Sequence, residues 1–206
     1  MITTVIFDIG NVLTKYTWRE HIESKGFYGD MLERIADATV RSAQWKNYDI
    51  GILPEEEIIE SFVRNDPGIE QEIRTTYEDL KGIIARQNYA IPWIRELKEN
   101  KYQVLYLSNF SYRASVECAE ALDFIPYTDG GILSYKDHVV KPMPEIYKLL
   151  IERYELVPGE CVFLDDMEEN IRAAEAFDMH TILFRDKEQA VKELAKLGVR
   201  LPDKEV

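Results

Sequence analysis

The chain has 206 residues, of which 46% are hydrophobic, enough to form a sizeable buried core. Its 38 acidic and 25 basic side chains leave a formal net charge of −13, which argues against nucleic acid or an anionic membrane surface as a general partner. No apolar run approaches the roughly 20 residues that span a bilayer, and no signal-like pattern opens the sequence, so we expect a cytoplasmic location. Cys118 and Cys161 form no pairing or metal-binding motif, and we expect both thiols to be reduced and buried.

The first apolar segment, Val5-Ile6-Phe7, runs into a carboxylate at Asp8, and Gly10-Asn11 then bends the backbone. This pattern predicts a buried parallel strand that carries Asp8 at its C-terminal end. Open α/β sheets bind their ligands at such ends. The alternative is an Asp that only caps the following turn.

The segment 16–86 is rich in Glu, Arg, Tyr and Ile and contains no convincing strand. Apolar residues at helical spacing predict helices that begin near Asp30 and Pro54, and a long amphipathic pattern continues from Ile69 to Ile84. We therefore predict a helical insertion after the first strand.

From Tyr89 onward, helical patterns alternate with the apolar runs 104–107, 130–134, 161–164 and 181–184. This alternation predicts right-handed crossovers and a mostly parallel sheet between two layers of helices. The predicted fold class is α/β, a Rossmann-like three-layer sandwich with an inserted helical cap. The predicted domains are a core of residues 1–15 and 87–206 and a cap of residues 16–86.

Several carboxylates follow the predicted strands. Asp8 ends the first strand, and Asp165-Asp166 end the run 161–164. Like charges this close repel each other unless a cation lies among them, and Mg²⁺ is the hard divalent ion that oxygen ligands favour. The alternative is that Asp165 caps the next helix while Asp166 is solvated.

Two further polar positions belong to the same group of strand ends and loops. Ser108-Asn109 follow the run 104–107 and can donate a hydroxyl and a backbone N–H to an oxyanion, although Ser-Asn is also an ordinary turn. Lys141 precedes Pro142 in a loop and could attract an anionic substrate, although a loop lysine can also be merely solvated.

Together these positions resemble the motifs of the haloacid dehalogenase superfamily, whose order and spacing they match over essentially the whole chain. The matching segments are Asp8-Ile9-Gly10-Asn11-Val12, Ser108-Asn109, Lys141-Pro142 with Pro144-Glu145-Ile146-Tyr147, and Phe163-Leu164-Asp165-Asp166 with Asn170-Ile171. The insertion lies where members with a C1-type cap carry theirs. The first motif looks most like the branch that contains α-D-glucose 1-phosphate phosphatase.

This resemblance implies a phosphatase that hydrolyses a small phosphorylated metabolite, plausibly a sugar phosphate. Asp8 would attack phosphorus and form an aspartyl phosphate, which water then hydrolyses. The resemblance also implies that Mg²⁺ is held by the Asp8 carboxylate, the Gly10 carbonyl and Asp166. Asp165 would be a ligand or a neighbour of the ion.

The remaining motif residues would act on the phosphoryl group. The resemblance implies that Lys141 offsets its negative charge and keeps Asp8 ionised and aimed. Ser108 and the backbone around Asn109 and Asn11 would orient the phosphoryl oxygens. The expected oligomeric state is a monomer or a homodimer.

One position departs from the family pattern. Most phosphatases of the superfamily have a second Asp two residues after the nucleophile, which protonates the leaving oxygen and later activates water; here that residue is Gly10. Three explanations are open: a leaving group that departs with little help, a cap residue such as His21 that takes over the proton, or a protein that binds phosphate esters with impaired turnover.

Specificity is expected to come from the cap. The candidates for its substrate-facing side are Trp18, Arg19, Trp45, Tyr48 and Asp49. The Trp and Tyr rings could stack on a sugar and Asp49 could accept hydrogen bonds from its hydroxyls, but packing between cap helices is the simpler explanation for each of these residues. A 2-haloacid dehalogenase is the rival enzyme, although paired carboxylates without a cation line an anionic substrate poorly.

Overall fold

The computed structural model describes residues 1–201, so residues 202–206 of the predicted core lie outside the described part of the chain. The strands are β1 (Thr4–Phe7), β2 (Thr14–Tyr16), β3 (Ile84–Arg86), β4 (Gln103–Ser108), β5 (Gly130–Leu133), β6 (Cys161–Asp165) and β7 (His180–Leu183). The α-helices are α1 (Trp18–Ser24), α2 (Gly29–Ala38), α3 (Lys46–Ile50), α4 (Glu55–Asn65), α5 (Glu70–Thr76), α6 (Ala90–Glu99), α7 (Tyr112–Glu117), α8 (Pro144–Arg153), α9 (Glu168–Glu175) and α10 (Lys187–Lys196).

The main sheet has five strands in the order β5-β4-β1-β6-β7, and all of its pairings are parallel. This arrangement confirms the predicted α/β class and the strands expected in the second half of the chain. The chain moves outward from β1 to β4 and β5, and then crosses to β6 on the other side of β1. Such a reversal opens a crevice at the carboxyl ends of the central strands, where α/β proteins bind ligands.

Apolar side chains on both faces of the sheet form the three layers. On one face, Ile6 and Phe163 pack in a buried cluster with side chains of α8 and α9. On the other face, Phe7 packs edge-on against Trp93 of α6, with ring centroids 4.8 Å apart. Strands covered on both sides must be apolar throughout, which is why the sequence shows them as continuous hydrophobic runs.

The inserted region contains α1 to α5, so a helical cap is present as predicted. The expectation that 16–86 contains no strand is wrong, because β2 and β3 pair as a short antiparallel ladder in which Thr14 faces Arg86. The amphipathic pattern of 69–84 also breaks, since α5 ends at Thr76. Three-residue strands show too few alternations to be recognised when their partner is distant in sequence. The exact domain boundaries stay a prediction.

Two smaller expectations concern burial and membranes. Cys118 and Cys161 are both free and buried, as predicted. Across residues 1–201, every helix is too short or too polar to cross a bilayer.

Candidate active site

Three carboxylates meet at the carboxyl edge of the sheet. Asp8 follows β1, Asp165 ends β6 and Asp166 follows it, and one oxygen from each lies within 4.8 Å of the others. The parallel pairing of β1 with β6 causes this convergence, because Phe7 is in register with Leu164. The predicted meeting of these three side chains is therefore present in the structure.

Lys141 is the cation at the centre of this group. Its ammonium lies 2.8 Å from Asp8 Oδ1 and 2.6 Å from Asp165 Oδ2. All three residues are buried, with Lys141 only 4% exposed. A buried ammonium between two carboxylates has its charge compensated, so the loop-lysine alternative does not hold.

Asp165 is held on all sides by hydrogen bonds. Its Oδ1 accepts the Met167 backbone N–H at 2.8 Å and the Asn170 amide at 3.0 Å, and its Oδ2 accepts Lys141. Both oxygens are thus engaged by protein donors. This geometry favours a role for Asp165 in positioning Lys141 over a role as a direct metal ligand.

The other two carboxylates keep an oxygen available. Asp8 Oδ1 accepts the Ile9 N–H at 2.7 Å as well as Lys141, and Oδ2 has neither contact. Asp166 Oδ2 accepts the Asn11 amide at 2.9 Å. Within residues 1–201, the Gly10 carbonyl oxygen accepts no hydrogen bond. Unengaged oxygens of this kind are what a hard cation needs as ligands.

Burial and charge oppose each other at this centre. Burial raises the pKa of Asp8 to about 7, although the ammonium of Lys141 works against the shift. Burial alone would lower the pKa of Lys141, but the charges of Asp8 and Asp165 outweigh it and raise that pKa above its usual value. The lysine therefore stays protonated beside its carboxylates.

Asn109 fixes the loop that carries Lys141. Its side-chain amide donates to the Lys141 carbonyl at 3.0 Å, and its Oδ1 accepts the Lys141 N–H at 2.7 Å. Ser108, at the end of β4, is buried and lies close enough to Asp8 to lower the pKa of that carboxyl. The Asn109 side chain is therefore occupied in positioning Lys141, which leaves its backbone for any contact with an oxyanion.

A cavity of about 200 Å³ lies over the carboxylates, between core and cap. Its polar side comprises Asp8, Gly10, Asn11, Asp49, Asn109, Ser111 and Asp166. Its other walls are formed by Tyr16, Trp45, Leu80, Ile83, Ile84, Phe110, Ala114 and Met167. The cavity lining thus combines a polar set of residues with a mainly apolar one.

The candidate cap residues divide into two groups. Trp45 and Asp49 line the cavity, whereas its wall within residues 1–201 does not include Trp18, Arg19 or Tyr48. Tyr48 is buried and packs against Trp45, with ring centroids 5.3 Å apart. Arg19 lies over the Trp18 ring, 4.8 Å from its centroid. For Tyr48 packing was the correct alternative, whereas the exposed Arg19 contacts Trp18 away from this cavity.

His21 is poorly placed to take over a proton. The ring is buried, and its nitrogens lie 3.1 Å from the Lys81 carbonyl and 3.0 Å from the Thr76 carbonyl. Both nitrogens therefore join parts of the cap. Asn170 belongs to the fourth motif, but no specific role was assigned to it from the sequence. Ser134 was not identified as a site residue, because a single polar residue outside a motif carries no spacing signal.

A sequence model of the haloacid dehalogenase-like hydrolases matches residues 2–178. The chain belongs to this family. Among curated relatives of this haloacid dehalogenase-like hydrolase, bifunctional epoxide hydrolase 2 of Sus scrofa is 38% identical over 90 residues, but the match covers 43% of this chain and only 16% of that protein.

Other relatives match this haloacid dehalogenase-like hydrolase over most of its length. The phosphorylated carbohydrates phosphatase of Thermotoga maritima is 24% identical and covers 86% of this chain and 82% of its own. A sesquiterpene phosphatase of Aspergillus oryzae is 23% identical, with coverages of 93% and 94%. A solved family enzyme of Bacteroides thetaiotaomicron, in complex with magnesium and inorganic phosphate, has a TM-score of 0.68 at 22% identity, covering 92% of this chain and 99% of its own.

Proposed function

We propose that this hydrolase is a Mg²⁺-dependent phosphatase that acts on a small phosphorylated metabolite. The observation that carries the proposal is the contact of the Lys141 ammonium, 2.8 Å away, with Asp8, which lines the cavity. The buried lysine thus places a positive charge directly beside the candidate nucleophile. Phosphoryl transfer needs this combination, because its catalysis is mainly positioning and charge stabilisation.

In this mechanism the Asp8 carboxylate attacks phosphorus, and the Ile9 N–H helps to orient it through Oδ1. Lys141 holds the carboxylate in place and offsets negative charge on the phosphoryl oxygens. Asp165 and Asn109 keep Lys141 in position through its side chain and its backbone. Ser108 and the backbone around Asn109 and Asn11 orient the phosphoryl oxygens.

Mg²⁺ fits the donor set that the chain provides. Asp8, Asp166 and the Gly10 carbonyl offer oxygen ligands, and the carboxylate oxygens lie within 4.8 Å of each other. Asp165, the third carboxylate of the group, contacts the Lys141 ammonium and would lie next to the ion. When bound, the ion would supply positive charge that offsets the charge of the transferring phosphoryl group.

The direct test is release of phosphate from a generic aryl phosphate, with and without Mg²⁺. We expect the activity to require Mg²⁺ and to be lost in Asp8→Asn. Asp178→Asn is the matched control, because Asp178 is exposed and precedes β7 at the opposite edge of the sheet. Activity that survives Asp8→Asn and EDTA would contradict the proposal.

Two rival functions make different predictions. A 2-haloacid dehalogenase would release halide from 2-chloropropionate without a metal. A phosphate-ester-binding protein, suggested by Gly10, would bind metabolites tightly and turn over none of them. The paired carboxylates beside the cavity favour the phosphatase over the dehalogenase. Without a metal ion they would repel an anionic 2-haloacid, whereas Mg²⁺ would offset their charge for a phosphate ester.

A sugar phosphate is the first proposed substrate class, through the resemblance to the glucose 1-phosphate phosphatase branch and the similarity to the Thermotoga enzyme. The apolar residues of the cavity lining favour a second class, phosphate esters with an aromatic or aliphatic group. A panel containing sugar, aryl and prenyl phosphates distinguishes the two. Higher kcat/KM on the sugar esters would reject the apolar class.

A further inference from the structure

Cleavage of an alkyl phosphate leaves an alkoxide, which needs a proton as it departs. Gly10 has no side chain to supply one, and Lys141 is committed to two carboxylates. The cavity wall contains further ionisable groups that are candidates for this task. They are Asp49, Asp166 and Tyr16, besides the nucleophile.

Two of these groups are unsuited to exchange a proton. Asp166 belongs to the acidic cluster that accepts the Asn11 amide, and it is a proposed metal ligand. Tyr16 has a pKa well above its usual value because its hydroxyl is buried, and the charges of neighbouring groups raise it further. Asp49 remains, on the cap side of the cavity.

Within residues 1–201, the Asp49 carboxyl is not occupied by other protein groups. Among residues 1–201 it forms no side-chain hydrogen bond and no ion pair, although the residue is partly buried and lines the cavity. It is close enough to the centre for the charge of Lys141 to lower its pKa and that of Asp8 to raise it. A carboxyl left free in the substrate cavity is available to a leaving group.

The core holds Asp49 in place through its backbone. Ser134, which is fully buried after β5, donates its hydroxyl to the Asp49 carbonyl at 2.6 Å. The same hydroxyl accepts the Phe110 N–H at 2.9 Å, next to Ser108-Asn109. His138 Nδ1 lies 2.8 Å from the neighbouring Ile50 carbonyl. Helix α3 is therefore docked on the loops that form the active site.

The protonation state of Asp49 suits an exchangeable proton. Burial raises its pKa to about 7, with Lys141 opposing and Asp8 adding to the shift. A general acid works best when its pKa lies near the operating pH.

We propose that Asp49 is the general acid and base of this site, an inference that rests on the phosphatase function proposed above. As the Asp8 carboxylate bonds to phosphorus, the bond from phosphorus to the ester oxygen breaks. Its electron pair goes to that oxygen, which takes the proton of Asp49 and leaves as the alcohol. Water then attacks the aspartyl phosphate and gives a proton to Asp49, and the Asp8–phosphorus bond breaks to release inorganic phosphate.

The test compares Asp49→Asn with the wild type on two esters, 4-nitrophenyl phosphate and a simple alkyl phosphate. On the alkyl ester we expect kcat/KM to fall by about 10²–10⁴-fold, because the alkoxide leaves without a proton. On the aryl ester we expect kcat/KM to change by less than about 10-fold, since the phenolate needs little assistance. A burst of nitrophenol equal to the enzyme concentration should precede slow turnover, because hydrolysis of the aspartyl phosphate also loses its base.

Controls separate this role from a structural one. Asp30→Asn, an exposed cap substitution, should leave both esters unaffected. Gly10 has an ordinary backbone conformation, and an added Cβ there would meet only Asp8 Oδ2 at 3.9 Å. The double variant Gly10→Asp/Asp49→Asn should therefore regain activity on the alkyl ester.

The outcomes also separate the two proposals. If wild type and Asp49→Asn hydrolyse the alkyl ester equally, or if kcat/KM falls equally on both esters, the role of Asp49 is overturned while Asp8-dependent phosphatase activity stands. If the wild type hydrolyses neither ester, the phosphatase function fails and the Asp49 role with it.

Discussion

At the scale of single residues, the buried ionic group of Lys141, Asp8 and Asp165 is central both to the proposed activity and to the stability of the fold. Its charges are compensated only as a set, because the ammonium contacts both carboxylates within 2.8 Å. Removing one member of a buried ionic group leaves an uncompensated charge, which costs far more than an exposed ion pair contributes. The position of Asp8, the proposed nucleophile, and the stability of the core therefore depend on the same lysine.

We expect Lys141→Met to lower the free energy of unfolding by about 3–5 kcal/mol and to abolish phosphatase activity, because Asp8 and Asp165 then repel each other in a buried site. Urea unfolding followed by circular dichroism measures the first effect. Lys148→Met, which removes an exposed lysine from α8, is the control. An unfolding midpoint equal to that of the control would contradict this reading of the lysine.

Asp49 gives a second prediction at this scale. Its folded pKa of about 7 lies above the ordinary value of 3.8, so the folded state binds the proton more tightly than the unfolded state. The cost of ionising Asp49 therefore appears as the pH rises from about 4 to 7 and is complete above 7.

In EDTA at pH 8 we expect Asp49→Asn to be more stable than the wild type by about 1–2 kcal/mol, because the amide carries no charge to bury. The gain should shrink steadily toward pH 5. Urea unfolding of both proteins across this range measures it. A gain that does not vary with pH would show that the carboxyl titrates normally.

At the scale of elements, the five-residue helix α3 depends on the core for its position. Isolated helices of this length are unstable in water, so tertiary contacts must hold it. Gly51 ends the helix in a left-handed conformation with φ of 68°, and an added Cβ would lie 2.9 Å from the Tyr135 Cβ. The close approach of cap to core at this point therefore requires glycine.

The Ser134 hydroxyl links α3 to the loop after β4, and Ser134→Ala tests that link. We expect a loss of about 1–3 kcal/mol in the free energy of unfolding, because the buried Phe110 N–H loses its acceptor. We also expect kcat/KM to fall more on alkyl than on aryl phosphates, since Asp49 is displaced. Ser115→Ala, a partly buried serine on α7, is the control. An equal fall in kcat/KM on both esters would show that Ser134 does not act through the position of Asp49.

At the scale of the whole molecule, the site is assembled from segments far apart in the chain. Asp8 comes from the N-terminal strand, Asp166 follows β6, and Asp49 belongs to the cap. A protein with a net charge of −13 concentrates three of its carboxylates within 4.8 Å of each other. Lys141 offsets only part of this negative charge, so a bound divalent cation would stabilise the folded state further.

Mg²⁺ should therefore raise the midpoint of thermal unfolding. At a concentration of about 100 times Kd the stabilisation is about 2.7 kcal/mol, which corresponds to roughly 5–10 °C for a chain of this size. Asp166→Asn should abolish most of the shift, whereas Asp178→Asn should retain it. An undiminished shift in Asp166→Asn would place the ion elsewhere.

The sequence by itself determined the layered fold and the convergence of Asp8 with the acidic pair Asp165-Asp166, and it identified Lys141 as a candidate. Buried parallel strands are continuous apolar runs, and the residues that end them, such as Asp8 and Asp165, must meet at one edge of the sheet. Local sequence patterns were sufficient to predict these features, because the burial of a strand and the residue that ends it are properties of short segments.

Only the tertiary structure decided which residues complete the site. Nothing local distinguishes Asp49 from Arg19 or Trp18, yet Asp49 lines the cavity and the other two pack elsewhere. Likewise, hydrogen bonds distinguish the two neighbouring carboxylates. Asp165 accepts the Asn170 amide and positions Lys141, whereas Asp166 accepts the Asn11 amide on one oxygen and keeps the other available. Such roles depend on contacts between distant segments, and the spacing of residues along one segment does not encode them.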